Sequence, residues 1–182
     1  MGGSLEYNEV KAILQKPIYK NITNFVETGT YKGDTSLMAS KYFANVYTME
    51  INEDLYKESK LKAENQNINN IHFYLGDSTE LLQVITPKLL DDGAVFFIDA
   101  HISGSDSSYN GKQLVPLYEE LSIILTHILP PSIFIIDDVR LFNKFDDWKN
   151  ITTEGVLEIF KSFGYSIKSA YTKNDRLFIL TK

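Results

Sequence analysis

Phe25-Val26-Glu27-Thr28-Gly29-Thr30-Tyr31-Lys32-Gly33-Asp34-Thr35 is a short apolar run leading into an acidic, glycine-spaced turn that opens a helix, and a second run, Val46-Tyr47-Thr48-Met49, ends in Glu50. In an open α/β sheet, ligands bind at the carboxyl ends of the strands. There Gly29 and Gly33 let backbone come close to a ligand, and a carboxylate about 20 residues further on can hold a ribose diol. The dinucleotide fingerprint G-x-G-x-x-G is absent, because the turn reads E-x-G-x-x-x-G. Without the middle glycine a pyrophosphate has no close approach, and Glu27 repels it. A cationic, phosphate-free nucleoside suits this turn better, and S-adenosylmethionine is a ligand of that kind.

Outward from this turn the chain alternates short β-rich runs with longer amphipathic stretches, the order of βαβ units. After a leading helix over 5–16, strands are expected at 24–27, 46–50, 72–75, 94–99, 132–137, 166–171 and 176–181. Helical spacing of apolar residues covers 35–43, 53–66, 78–90, 113–128 and 152–163, with Asp34 and Thr153 as caps. Lys173-Asn174-Asp175 is too short for a parallel crossover. The last two strands should therefore form an antiparallel hairpin at one edge of an otherwise parallel sheet. The expectation is an α/β, Rossmann-like three-layer sandwich with seven strands.

The 182 residues make about one domain, 1–182, able to bury roughly 70% of the unfolded surface. A hydrophobic content of 43% and a charged content of 23% are ordinary for a globular protein. No apolar run approaches the ~18 residues that cross a bilayer. A net charge of −6 with scattered lysines argues against a nucleic-acid partner, which would need a basic stripe. The absence of cysteine excludes disulfides, thiolate nucleophiles and thiolate metal sites. With no signal-peptide pattern at the amino terminus, a cytoplasmic location is expected.

The quoted residues carry a family resemblance. Glu27-Thr28-Gly29 with Gly33, Met49-Glu50-Ile51, Gly76-Asp77-Ser78 and Phe97-Ile98-Asp99 follow at the order and intervals of class I S-adenosylmethionine-dependent methyltransferases, whose sheet also has seven strands. Met49-Glu50-Ile51-Asn52 and the acidic pair Asp137-Asp138 resemble the metal-dependent O-methyltransferases, the catechol and caffeoyl-CoA type with sugar-modifying relatives. The resemblance implies that Glu50 takes the ribose hydroxyls and Ile51 lies against the adenine. It implies that Asp77 or Ser78 faces the adenine edge, Gly29 passes the methionine portion and Thr35 lies near its carboxylate, with Glu27 in the same turn. Asp77 also suits a helix cap, and the two roles can coexist.

A second constellation is read from the residues themselves. The runs ending in Asp99 and in Asp137-Asp138 are buried-type strands, so three carboxylates converge at one rim and repel unless a hard divalent cation joins them. Mg²⁺ characteristically takes a few carboxylates with waters and substrate oxygens. In the resembling family an aspartate after the fourth strand and an acidic or amide pair after the fifth hold that ion. The bland alternative is that these acids cap helices or pair with Arg140. A cation here would lower the pKa of an acceptor hydroxyl and hold its oxygen in line with the sulfonium methyl group. His101, with a pKa near neutrality, is the candidate proton acceptor beside Asp99, whereas His72 and His127 read as structural.

The acceptor should meet the loop 101–111 and the stretch 140–148. Their hydroxyls and amides with Tyr109 or Trp148 suit a sugar, glycan or other polar small molecule. An Asp-x-His-x-Ser-Gly segment also resembles sugar O-methyltransferases. A homodimer is left open. Two other classes stay in view: a nicotinamide-dependent oxidoreductase, which would need the missing G-x-G-x-x-G, and a non-catalytic S-adenosylmethionine-binding module, against which the intact acids speak.

Overall fold

The structure is a computed structural model that describes residues 4–89, 93–101, 114–127 and 131–182. Along the chain come α1 (Tyr7–Leu14), β1 (Asn24–Thr28), α2 (Asp34–Ala39), β2 (Asn45–Glu50), α3 (Glu53–Asn65), β3 (Ile71–Leu75), α4 (Ser78–Ile85), β4 (Val95–Ile98), α5 (Leu117–His127), β5 (Ile133–Ile136), α6 (Thr153–Ser162), β6 (Ile167–Lys173) and β7 (Arg176–Thr181). They build a seven-stranded sheet in the order β3-β2-β1-β4-β5-β7-β6. The first five strands are parallel, and β7 runs antiparallel between β5 and β6. The expected hairpin is present, and its second strand is the one that reaches the parallel core.

The central strands are buried on both faces, which is why they read as continuous apolar runs. Successive residues serve opposite layers. Phe96, Ile98, Phe134, Ile136, Leu177 and Ile179 pack with α4, α5 and α6, while Val95, Phe97, Ile133, Ile135, Phe178 and Leu180 pack with α1 and α2. Phe134 stacks on Phe96 with ring centroids 4.9 Å apart and meets the edge of Phe160 at 4.8 Å. Each fully buried phenylalanine contributes about 1.5–3 kcal/mol relative to exposure.

Local chemistry sets the helix ends. Asn52 caps α3 by accepting from the backbone N–H of Asp54 and Leu55, and Asp77 caps α4 by accepting from Thr79. Two expected caps are displaced by one residue: α2 starts after Gly33, in the left-handed region, and α6 after Thr152, whose hydroxyl accepts from Gly155 N–H. The helix expected over 78–90 is α-helical only to Ile85 and continues as a 3₁₀ turn over Thr86–Leu89. Pro87 in that turn has no N–H to continue the ladder. Positions 90, 113 and 128 of the expected helices lie outside the described residues. Among the described residues, no helix is long and apolar enough to cross a membrane.

Strand register aligns the exits. Thr28 is level with Met49 and Ile98, Ile98 with Ile136, and Glu50 with Leu75. Gly29, Glu50, Gly76-Asp77, Asp99 and Asp137-Asp138 therefore leave the sheet along one carboxyl rim.

Candidate active site at the carboxyl rim of the sheet

On the β1–β2–β3 side the rim is built from backbone turns and acids. Gly29 has φ +81°, and a Cβ there would lie 2.4 Å from the Asp99 carbonyl oxygen, so only glycine allows the turns after β1 and β4 to approach this closely. The N–H groups of Gly29 and Thr30 both donate to Met49 O at 3.0 Å, tying the β1 turn to β2. Gly33 has φ +77° and packs on Ser59 of α3, where a Cβ would come within 2.9 Å of the serine Cβ.

Glu50 is 7% exposed, and its two oxygens accept from Tyr31 N–H (2.7 Å) and Asn52 N–H (2.9 Å). Burial raises its pKa against the lowering effect of these amides. Each carboxylate oxygen has two lone pairs, so acceptor capacity remains for a diol. Ile51 follows at the strand exit, half-buried. Asp77 and Ser78 stand at the start of α4, where Asp77 Oδ1 takes the Thr79 N–H and hydroxyl.

Glu27 and Thr35 sit deeper. Glu27 is buried and accepts from the hydroxyls of Ser36 and Thr48, the second at 2.7 Å. Burial outweighs those hydrogen bonds and, with Asp99 and Glu50 nearby, pushes its carboxyl up to about 8. Burial thus favours its neutral form, which weakens the electrostatic repulsion of phosphate expected from the sequence. Thr35 is 5% exposed, and its hydroxyl accepts from Leu5 N–H at 3.1 Å, fastening the segment before α1 to α2.

On the β4–β5 side Asp99, His101 and Asp138 converge, each offering one ligand atom within 4.8 Å of the others. His101 bridges the two acids, with Nε2 2.8 Å from Asp138 Oδ2 and Nδ1 3.3 Å from Asp99 Oδ1. Burial disfavours the charged ring, yet the paired carboxylates outweigh it and push the His101 pKa up to about 9. Burial likewise opposes ionisation of Asp138, and its contacts with His101 and Arg140 overcome this to hold its pKa low. Asp99 goes the other way, raised by burial despite His101. Asp138 reaches its position through a left-handed backbone, φ 58°, a conformation aspartate tolerates better than most residues.

Asp137, also read as a metal residue, lines the same pocket as Asp99 and His101 but is not one of the three converging residues. Its Oδ1 lies 3.2 Å from Arg176 Nε, a charge contact not aligned as a hydrogen bond. Burial and Asp99 raise its pKa to about 7 against the pull of Arg176. Arg140 binds both Asp138 and Asp175, anchoring the β6–β7 turn beneath the cluster. The pairing of an acid with Arg140 thus coexists with the cluster.

Beside the cluster a small, open pocket is lined by Asp99, His101, Leu117, Glu120, Asp137 and Trp148 among others. Trp148 meets the His101 ring edge-on at 5.1 Å and stacks with Phe142. Glu120 and Arg176 were not singled out from sequence. Glu120 is fully buried, and among the described residues neither of its oxygens has a hydrogen-bond partner. Burial, reinforced by Asp77 and Asp99, raises it to about 7 against the nearby Ser78 and Thr28 hydroxyls. The available signal was an acid at the apolar spacing of Leu117, Leu121 and Ile124. For Arg176 it was a cation opening a strand that is otherwise buried. Tyr109 and the rest of 102–113 lie outside the described residues.

No protein-family model matches this sequence, and no curated protein matches it. Solved structures do resemble it in shape. A candidate caffeoyl-CoA O-methyltransferase from Staphylococcus aureus superposes with a TM-score of 0.67 at 19% identity, over 100% of this chain and 86% of that one. The fold is the Rossmann-like methyltransferase fold. An O-methyltransferase from Bacillus cereus, solved with S-adenosylhomocysteine, gives 0.65 at 17% identity over 98% and 82%. The O-methyltransferase TomG from Streptomyces achromogenes, involved in tomaymycin synthesis and solved with S-adenosylmethionine, gives 0.63 at 12% over 98% and 81%.

Proposed function

We propose that this chain, as one domain, transfers a methyl group from S-adenosylmethionine to a hydroxyl of a polar small molecule or sugar, with a divalent cation held by Asp99, His101 and Asp138. The observation that carries the reading is the register that aligns the exits of β1 to β5: it sets Glu50 and the Asp99–His101–Asp138 cluster on one rim of one sheet. S-adenosylmethionine or its product in methyltransferase structures of the same fold supports the cofactor.

In this reading Glu50, already oriented by the Tyr31 and Asn52 amides, accepts the ribose hydroxyls, and Ile51 covers the adenine. Asp77 and Ser78 bound the adenine edge, while Gly29 and Gly33 keep the β1 turn free of side chains where the methionine portion passes. Glu27 supports this turn from below as a neutral acid, and Thr35 joins α2 to the amino-terminal segment.

Two carboxylates and an imidazole form a donor set that fits a hard or borderline divalent cation such as Mg²⁺ or Mn²⁺. Such an ion lowers the pKa of a coordinated hydroxyl and fixes its orientation. In the transfer the sulfur–methyl bond breaks as the oxygen–methyl bond forms, the donor becomes a neutral thioether, and the hydroxyl proton must leave. Asp99 and Asp138 favour the protonated His101 ring in the ion-free protein, so it is poorly placed to accept the hydroxyl proton there, and a cation would have to displace the ring proton before His101 could ligate it. Asp99, whose side chain is 28% exposed and lines the pocket, is the other candidate acceptor. Trp148, Val115 and Leu117 shield the site from water.

Calorimetry with S-adenosylhomocysteine, with and without Mg²⁺ or Mn²⁺, followed by transfer of labelled methyl to a panel of sugars and polyols, tests the proposal. Asp138→Asn should keep cofactor binding and abolish metal-dependent transfer. Failure of the wild-type protein to bind S-adenosylhomocysteine would end this reading.

A further inference from the structure

Arg176 opens β7 only 4% exposed, between the carboxylates of Glu9 and Asp137. Its Nη1 donates to both oxygens of Glu9, at 2.8 and 3.1 Å, and its Nε lies 3.2 Å from Asp137 Oδ1. The guanidinium also lies over the Phe97 ring, 5.7 Å from its centroid. Glu9 belongs to α1, and its side chain is 8% exposed. Its Oε2 accepts from Glu6 N–H in the capping box of that helix, and its Oε1 accepts from Asn174 Nδ2 in the β6–β7 turn. A chain of buried charges, Glu9 to Arg176 to Asp137, therefore runs from the amino-terminal helix to the residue adjoining Asp138.

Charge sign gives the chain a consequence. Arg176 is a permanent cation set against the strand exit that carries the Asp99–His101–Asp138 cluster. Without the Glu9 charge the guanidinium would offset that of Asp137 and weaken the attraction of this strand exit for a divalent ion. Glu9 holds the guanidinium from the opposite side and neutralises it.

We infer that Glu9 is a positioning residue of the cation site: from the amino-terminal helix it fixes and neutralises Arg176, so that Asp137 is balanced and the Asp99–His101–Asp138 cluster keeps its affinity for a divalent cation. The inference rests on reading that cluster as a cation site. The amino-terminal helix, which supplies no residue to the rim, thereby sets the affinity there.

The test is Mn²⁺ binding to the full chain without cofactor or acceptor, followed by the loss of the free-ion paramagnetic resonance signal and by calorimetry. Glu9→Gln keeps the shape and one acceptor oxygen but removes the charge. It should weaken Mn²⁺ about tenfold, the scale of one unit charge acting on a doubly charged ion across a partly buried separation. Its S-adenosylhomocysteine affinity and far-ultraviolet circular dichroism should stay at wild-type values, and Glu58→Gln, which removes the same charge from the exposed face of α3, should leave Mn²⁺ binding unchanged. Adding Arg176→Gln to Glu9→Gln removes one positive charge and should restore Mn²⁺ affinity to at least the wild-type level. A folded Glu9→Gln protein with wild-type Mn²⁺ affinity, or a double variant still weak, overturns the inference. A wild-type protein that leaves Mn²⁺ free overturns the cation reading along with it.

Discussion

Replacing Glu27 by Gln should flatten a defined part of the pH dependence of stability. In the folded chain this carboxyl is buried beneath the end of β1 and ionises at about 8, whereas its ordinary value is 4.5. Between those values the native state binds more protons than the unfolded state, so the wild type loses stability as pH rises, and the contribution is fully present below the unfolded pKa. The interval of about 3.5 pH units corresponds to about 5 kcal/mol in total. Between pH 5 and pH 9 roughly 4 kcal/mol of it is lost. Gln keeps an acceptor for the Ser36 and Thr48 hydroxyls and supplies N–H where the acid supplied O–H. The variant lacks this slope. Urea unfolding at several pH values, read by circular dichroism and by fluorescence of Trp148, the single tryptophan, gives the comparison. The wild-type advantage over Glu27→Gln should shrink by about 4 kcal/mol from pH 5 to pH 9, while slopes from Glu120 and Asp137 cancel between the two proteins. Parallel profiles would refute burial as the force acting on Glu27.

Glu50→Ala removes the acceptor of two backbone amides along with the proposed ribose ligand. S-adenosylhomocysteine affinity should fall at least about tenfold by calorimetry, and an unchanged value would exclude Glu50 from the cofactor site. Gly29→Ala forces a Cβ to 2.4 Å from the Asp99 carbonyl oxygen at φ +81°. A stability loss of about 3 kcal/mol or more in urea is expected, and near-wild-type stability would mean that the turn can move. In chelator-treated protein the His101 ring should titrate by NMR near 9 rather than 6.5. Asp138→Asn should bring it down by at least about one pH unit through loss of the paired charge, and a wild-type value near 6.5 would break the proposed ion pairing.

Much of the fold was legible because its strands are buried on both faces: Val95–Ile98 and Ile133–Ile136 are unbroken apolar runs each followed by an acid, and the short link before Arg176 dictated the terminal hairpin. Helix boundaries were less so, since the 3₁₀ continuation after Ile85 and the left-handed entry at Gly33 depend on single backbone angles. At the site, the acids at the strand ends could be read directly. Which of Asp137 and Asp138 joins His101 could not, because adjacent carboxylates diverge according to the left-handed turn at Asp138 and the buried Arg176. Arg176 in turn is held by Glu9, and no local pattern in either segment announces that contact. For Glu27 the sequence shows the acid but not its burial, and burial is what raises its pKa.

The proposed donor and cation sites share one rim of the sheet. Proton relaxation of S-adenosylhomocysteine bound to the Mn²⁺-loaded protein measures that directly. The protons flanking the sulfur should broaden strongly, with adenine protons affected less, and Asp138→Asn should remove the effect. Bound S-adenosylhomocysteine whose resonances ignore bound Mn²⁺, or whose adenine end broadens most, would contradict the account.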